Sequence, residues 1–488
     1  MPDAPAQPGP SPPRWYARTV WWATLVCLVI ILGSNVVRNS IILKSYWALG
    51  LLLAGAAWAP ALRGGNLIGR WSVRQWLLGV IGLALILRVA CVLVTPYTPT
   101  ADFRVYHEAG LHMAEHWELR TGPYRCFFPP GQIFALGVVY SIFGENVLAA
   151  QLLNVIWATL TVGAVYVFAR CLVEDRAARI ASLTAAVLPS AVFSCVVLGA
   201  EVPQNFWFFL ALCFYAAVFE RRDRLWGALA CGLCLGVAAL IRPTFLLVPF
   251  ALGLHLLIAR RRRLRVLAGA GLMLLGVALA VAPWTYRNYR VTGGFVLLSS
   301  NGGGNLWSGN NPETTYGRYT DSVWRHLYGT CHDDLSIHRT GMERGTEWIR
   351  NNPGEFAWLA VCKAIVFWAT DADMAWWAVD RPALDIPGFG WPRVVRRIVV
   401  GATSGFFVAC VGAGIVGLVR RRRWLKASRG WLVIPVLCAY FTAVHMVFES
   451  QAKYHYMLTP LICILAALAF RAGPGDARGK AGPIQSDT

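Results

Sequence analysis

Twelve stretches of this chain stay apolar for close to the length that crosses a bilayer, and that pattern leaves few folds open. A spanning helix needs about 20 mostly apolar residues. The stretches are Val20–Val37, Tyr46–Leu62, Gln75–Val94, Val147–Ala169, Ile180–Leu198, Pro203–Phe219, Leu225–Ile241, Thr244–Ile258, Val266–Tyr286, Ile398–Val419, Trp431–Phe448 and His455–Phe470. Hydrocarbon offers backbone N–H and C=O groups no water, so lipid-facing segments of this kind close their hydrogen bonds internally, as helices. The pattern predicts an all-α polytopic membrane protein. Thr244–Ile258 is short for a span, and a hairpin with its neighbour would account for it. Only 14% of the residues are charged, against about 25% in soluble domains.

The net charge of +20 suggests nucleic acid until its position is considered. With the N-terminus inside, the inner loops hold Arg63, Arg70 and Arg74; Arg170, Arg176 and Arg179; Arg221, Arg222 and Arg224; Arg260 to Arg263 with Arg265; and Arg420 to Arg423 with Lys426 and Arg429. Short loops rich in arginine are cytoplasmic, and the opposite orientation would put every cluster outside. Only the outside loop Arg38–Lys44 runs against the trend. The reading is therefore a multi-pass protein of the cytoplasmic (inner) membrane with both termini cytoplasmic and no nucleic-acid partner. No small-residue cleavage site follows the first apolar block, which reads as a retained helix. Residues 1–19 and 472–488 read as disordered tails flanking a transmembrane domain over 20–471.

Two segments outside the membrane are long, about 95–146 and 287–397, and long ordered loops are usually functional. The apolar stretch Gly131–Phe143 is too short to span and reads as an interfacial or re-entrant helix. Glu355–Thr370, with Trp358, Trp368, Trp376 and Trp377 nearby, reads as a helix on the outer surface. Of thirteen cysteines, most sit inside spans as small apolar residues, Cys231 and Cys234 included. Cys126 and Cys331 fall in the outer loops, where a bridge between them is one possibility.

The candidate chemistry lies in these loops. Asp102 and Tyr106, in TADFRVYHEAG, share a helix face at i and i+4. A carboxylate there is either a general base towards a hydroxyl or a solvated loop acid. Glu201 and Arg242 are charges close to hydrocarbon, which are costly and often functional. Arg242 suits a phosphate group. In PWTYRNYRVTGGF and NGGGNLWSGNNP, Arg287, Asn288, Asn301, Asn305 and Asn310 offer an anion or sugar hydroxyls donors and acceptors; a plain Gly/Asn turn series is the alternative. Lys453 and Tyr454, in QAKYHYMLTP, either meet a phosphate as a point charge or anchor a helix at the interface. His332, Asp333, Asp334 and His338 form a weak metal-like run that reads as solvated. No GxSxG, HExxH or Walker motif is present, and no metal or cofactor is called for.

The order of these features resembles a known family: Arg88 near a span end, the Asp-x-x-x-Tyr loop, the PPG turn, FGEN, RPT, PWTYRNYRVTGGF, NGGGNLWSGNNP and KYHYMLTP. It is similar to GT-C-fold glycosyltransferases of the protein-O-mannosyltransferase-like superfamily, including the aminoarabinose transferase group, over roughly Arg88 to Pro460. The resemblance implies a GT-C-like helix bundle with two structured extracytoplasmic loops. It also implies sugar transfer from a polyprenyl-phosphate donor to a glycan, lipid or protein acceptor hydroxyl, with inversion. By the same resemblance Asp102 maps onto the base, Glu201 onto a second acid, and Lys453 onto the residue that touches the donor phosphate, where arginine is commoner. Phe103 stands where many members have a second acid, and Gln151 where an arginine is frequent. The rival reading is a transporter or lipid-carrier flippase, which predicts discontinuous helices and symmetry between halves; no such symmetry is visible.

Overall fold

The structure is a computed structural model that describes residues 14–38, 46–62, 70–259, 263–386, 388–427 and 429–470. The loop carrying Lys44, Arg63, Arg260 to Arg262 and the expected tail over 472–488 lie outside the described residues, as does the stretch before Arg14. Residues 14–19, expected to be disordered, already belong to the first helix.

The described residues form helices and connecting turns, with one isolated β-bridge between Thr121 and Tyr124 and no strand. In chain order the first helices are α1 (Arg14–Arg38), α2 (Trp47–Leu62), α3 (Val73–Val94), α4 (Ala101–His116), α5 (Pro130–Phe143), α6 (Val147–Leu172), α7 (Asp175–Val187) and α8 (Pro189–Phe193). Next come α9 (Glu201–Cys213), prolonged by a π-helical stretch Phe214–Glu220, α10 (Leu225–Ile241), α11 (Val248–Ala259) and α12 (Arg263–Thr292). The second long loop holds α13 (Asn301–Ser308), α14 (Asp321–Thr330), α15 (Asp334–Asn351), α16 (Pro353–Phe367), α17 (Asp373–Val379) and α18 (Arg381–Asp385). The chain then returns through α19 (Arg393–Arg420), α20 (Arg422–Ala427), α21 (Val433–Val447), a 3₁₀ segment Ala452–Leu458 and α22 (Thr459–Ala467).

Seven of the twelve expected spans are helices long and apolar enough to cross a membrane. Those at α2, α10 and α11 are apolar but shorter. The remaining two differ from expectation. Ile180–Leu198 is not one helix: α7 stops before Pro189, which has no N–H to continue the ladder, and residues 194–200 run irregularly. His455–Phe470 likewise begins as the 3₁₀ segment before α22.

Irregular backbone inside a helix bundle persists where neighbours satisfy it, and here they do. Arg88 of α3 donates to the carbonyls of Ala186 (2.9 Å) and Ala185 (3.3 Å) at the end of α7. Gln151 and Asn154 of α6 donate to Val196 and Val197 at 2.8 and 2.9 Å, and Gln132 of α5 to Leu198 at 3.1 Å. The broken stretch then delivers Glu201 to the head of α9.

Helices approach closely through glycine. Gly232 and Gly236 of α10, a GxxxG spacing, face α12; a Cβ on Gly232 would lie 2.1 Å from the Met273 carbonyl oxygen. In the second loop, a Cβ on Gly303 of α13 would lie 2.1 Å from the His338 carbonyl of α15. The two loops are joined by buried Asp334, which accepts from the backbone N–H of Arg125 (2.7 Å) and Cys126 (3.2 Å) and from the Ser300 hydroxyl (2.8 Å).

The ends of the bundle differ in chemistry. At one end Arg179 bonds Asp175 (2.6 Å) and the Trp71 carbonyl (2.7 Å), Arg421 bonds Glu174 (2.6 Å), and Arg265 bonds Asp223 (3.1 Å). The other end carries both long loops and the acids described next.

Candidate functional site

Four segments far apart in sequence meet at the loop end. Asp102 lies in the first turn of α4, where a carboxylate also favours the helix dipole. Ala101 before it has φ +49°, the left-handed region that a Cβ disfavours. A strained residue beside a carboxylate is the kind of outlier found at functional sites.

The Asp102 carboxylate accepts from the Lys453 amine at 3.3 Å. The two side chains differ in exposure, Asp102 54% and Lys453 3%. Lys453 is held from beneath by aromatic rings: its amine lies 5.4 Å from the centroids of Phe103 and Trp377 and 5.7 Å from that of Tyr454. Its backbone N–H donates to Asp373 of α17 at 3.0 Å. Burial pushes the Asp373 carboxyl above its usual range, against the opposing pull of Lys453.

Beside this pair, Arg242, at the end of α10, makes an ion pair with buried Glu201. Its guanidinium also stacks 4.8 Å over the Tyr454 ring. The Tyr454 hydroxyl donates to Glu449 at 2.7 Å, and Gln451 donates to the same oxygen at 3.0 Å. Burial is the main cause raising the Glu449 carboxyl above its ordinary value. Tyr106 is buried on the inward side of α4 against Phe128, ring centroids 5.0 Å apart. Burial raises its phenol, while nearby Arg242 pulls it down. Among buried polar atoms, Glu201 Oε2, Glu449 Oε2, Arg242 Nε and both amide atoms of Gln204 have no hydrogen-bond partner.

Asp102, Tyr106, Glu201, Arg242, Lys453 and Tyr454 thus come together. The hydrogen bonds of most other predicted residues go elsewhere. Arg88 caps the broken helix. Arg287 donates to the carbonyls of Leu119 (2.8 Å) and Arg125 (2.6 Å), and Asn288 to those of Val296 (3.1 Å) and Leu298 (3.3 Å). Asn301 accepts from Ser299 at 2.9 Å, and Asn305 is half-buried in α13. Asn310 donates to the carbonyls of Leu306 and Val447 and accepts from Lys363, all within 2.8 Å. In the Gly/Asn motif the glycines admit α15 and the amides close turns.

Cys126 and Cys331 are unbridged buried thiols. Asp333 caps α15 by accepting from the N–H of Ser336 at 2.8 Å. Among the described residues no group of three or more His, Cys, Asp or Glu is arranged to hold a metal ion.

Sequence reading missed Asp373 and Glu449. Each adjoins an aromatic or apolar run, in DADMAWW and VFES, and an acid at such a boundary was the available signal.

The model of the family described as dolichyl-phosphate-mannose-protein mannosyltransferase matches residues 128–286, about a third of the chain. That stretch runs from the PPG turn to the end of α12 nearest the second long loop and includes Glu201 and Arg242. It lies within the span of the resemblance to GT-C glycosyltransferases. No curated protein sequence matches. Among solved structures, the chain is similar to the oligosaccharyltransferase AglB of Archaeoglobus fulgidus in complex with an inhibitory peptide and a dolichol-phosphate. Identity is 15% and the TM-score 0.46, covering 82% of this chain and 50% of that one. It is also similar to ArnT of Cupriavidus metallidurans bound to undecaprenyl phosphate, at 17% identity and TM-score 0.40, covering 81% and 78%. The chain therefore spans about half the length of the archaeal enzyme.

Proposed function

We propose that this chain is a membrane glycosyltransferase that moves a sugar from a polyprenyl-phosphate donor to an acceptor hydroxyl on the extracytoplasmic face. The observation that carries the reading is the meeting of half-exposed Asp102 with buried Lys453, next to the Arg242–Glu201 pair, at the end of the bundle opposite the arginine clusters. The family match over residues 128–286 supports the same class of donor. Arginine-rich ends are cytoplasmic, so this reading places the site on the outer face of the cytoplasmic membrane. Nucleotide sugars are not available there, and a lipid-linked donor brings its phosphate to the interface.

The chemistry follows from the charges. The acceptor oxygen attacks the anomeric carbon as the bond from that carbon to the phosphate oxygen breaks. The acceptor proton goes to Asp102. The electron pair of the broken bond stays on the phosphate, where Lys453 and Arg242 stabilise the developing charge. A single displacement inverts the anomeric centre. The acceptor is a glycan, lipid or protein hydroxyl.

The test is turnover by the protein in lipid with a panel of radiolabelled polyprenyl-phosphate sugars and acceptors, wild type beside Asp102→Asn. Loss of a general base lowers turnover by roughly 10²–10⁴-fold with donor binding kept. Equal turnover in both proteins removes Asp102 from the chemistry. Wild-type binding and transbilayer movement of the donor without transfer point instead to carriage of the lipid. Broken helices serve transporters too, but here the irregular stretch before Glu201 is closed by side chains.

A further inference from the structure

Glu449 is an acid of the site that the proposed chemistry does not use, and its two oxygens have unlike surroundings. The residue is 5% exposed. Oε1 accepts from the Tyr454 hydroxyl at 2.7 Å and from the Gln451 amide at 3.0 Å. Oε2 is buried and has no hydrogen-bond partner among the described residues. A buried polar atom without a partner costs stability, and it is the kind of group that asks for an explanation.

The side chain has little freedom to turn and find a partner. Glu449 lies in the turn that follows α21, and the second long loop and α16 clamp that turn. Gly309, just after α13, packs so closely that a Cβ there would lie 2.7 Å from the Glu449 backbone nitrogen. Next along the chain, the Ser450 N–H donates to the Gly317 carbonyl at 3.0 Å and its hydroxyl to the Lys363 carbonyl at 2.9 Å. Backbone and Oε1 are thus both fixed, and Oε2 keeps the direction they give it.

The carboxyl belongs to the same recess as the Asp102–Lys453 pair. Burial is the largest influence on it and raises it, the Tyr454 bond lowers it, and the charges of Asp102 and Lys453 both reach it. Half-exposed Tyr319 of the second loop senses the same two acids: burial raises its phenol to about 12, and the charges of Asp321, Asp102 and Glu449 push the same way. A hydroxyl group suits Oε2 in either protonation state. A carboxylate accepts from it and a carboxylic acid donates to it.

We propose that Glu449 Oε2 is the hydrogen-bond partner of a ring hydroxyl of the donor sugar, so that Glu449 selects lipid phosphates that carry a sugar over the bare lipid phosphate. Its depth assigns it to the donor and not to the acceptor. Asp102 is half exposed and opens towards solvent, from which an acceptor comes and goes. Glu449 is enclosed and bonded to Tyr454, and on the Tyr454 ring stacks Arg242, one of the two cations assigned to the donor phosphate. The group next to that phosphate is the sugar. A site built to hydrogen-bond a hydroxyl rejects ligands that lack it, because its own buried polar group is then left unpaired. This role rests on the glycosyltransferase reading for its place in a reaction, and it names the residue that reads the sugar.

The experiment measures binding to the full chain in lipid of bare polyprenyl phosphate and of polyprenyl phosphates carrying mannose, glucose or arabinose. Wild type should bind at least one sugared lipid more tightly than the bare one. Glu449→Leu should shrink that preference about 10-fold or more, as for loss of a hydrogen bond to a charged group, while binding the bare lipid as wild type does. Glu449→Gln, whose amide can still meet a hydroxyl, should fall between the two. Should Glu449→Leu not fold, Glu449→Gln takes its place and should narrow the same preference severalfold. A folded variant that keeps the whole preference overturns the proposal, as does a wild type that binds sugared and bare lipid alike. Equal loss of both lipids in Glu449→Leu marks a structural role and overturns it too. A preference that depends on Glu449 in a wild type that transfers nothing overturns the enzyme reading and leaves the sugar site standing.

Discussion

Lys363 shows how one buried cation ties the site to its surroundings. Its amine is inaccessible and donates to Asn310 Oδ1 (2.7 Å) and to the carbonyls of Val447 (3.1 Å) and Met446 (3.3 Å). Gly317, at φ +70°, leaves room for the stem: a Cβ there would lie 2.3 Å from Lys363 Cγ. Burial holds the amine at about 7, down from 10.5, in spite of Glu449. The folded value is the lower one, so between pH 7 and 10.5 the unfolded chain binds more protons. Stability therefore rises with pH across that window, and the contribution is lost as pH falls through it. Thermal unfolding of wild type in lipid should show that slope, and Lys363→Met should flatten it. A slope unchanged in the variant would assign it to another group.

Whole helices are held by complementary small surfaces and by repaired breaks. The α10–α12 contact depends on Gly232 and Gly236, because association in lipid draws on close packing more than on the hydrophobic effect. Gly232→Leu drives a side chain into the Met273 carbonyl. It should lower the unfolding temperature in lipid sharply, by an overpacking cost of about 1–3 kcal/mol or more. Gly271→Ala on α12, with nothing within 4 Å of the added carbon, should be neutral. If both variants unfold alike, α10 and α12 do not meet as described. The break after α7 follows the same logic, since Arg88, Gln132, Gln151 and Asn154 replace hydrogen bonds a continuous helix would have made. Gln151, which stands where the resembled family often has an arginine, donates to the Val196 carbonyl.

At the scale of the whole molecule the polarity of the bundle is the organising fact. The ion pairs of Arg170, Arg179, Arg265 and Arg421 gather at one end, and the Asp102, Glu201, Lys453 and Arg242 cluster lies at the other. The orientation proposed here predicts that a cysteine placed at exposed Glu145 reacts with a membrane-impermeant thiol reagent in intact cells. One at Arg423 should react only after the membrane is opened. The reverse pattern would turn the protein over and place its chemistry in the cytoplasm.

Apolar block lengths and the placement of arginines are properties of consecutive residues, set by the thickness of hydrocarbon and by which loops carry positive charge. For that reason the all-helical class, the seven full-length helices and the two structured loops could be read along the chain. Asp102 and Tyr106 were legible because they fall one helical turn apart on α4. The break after α7 was not, because Pro189 only makes it possible; the helices that supply hydrogen bonds make it stable. The Gly/Asn motif stayed open between a ligand site and a turn series for a related reason, since glycine marks close approach without saying whether a ligand or a helix approaches. Lys453 meets Asp102 across 351 residues, and Asp373 and Glu449 join them only because α17 and the 3₁₀ segment pack against α4 and α9. No spacing rule relates residues so far apart. Their meeting is a result of tertiary packing, and it is what turns scattered charges at a membrane surface into a candidate active site.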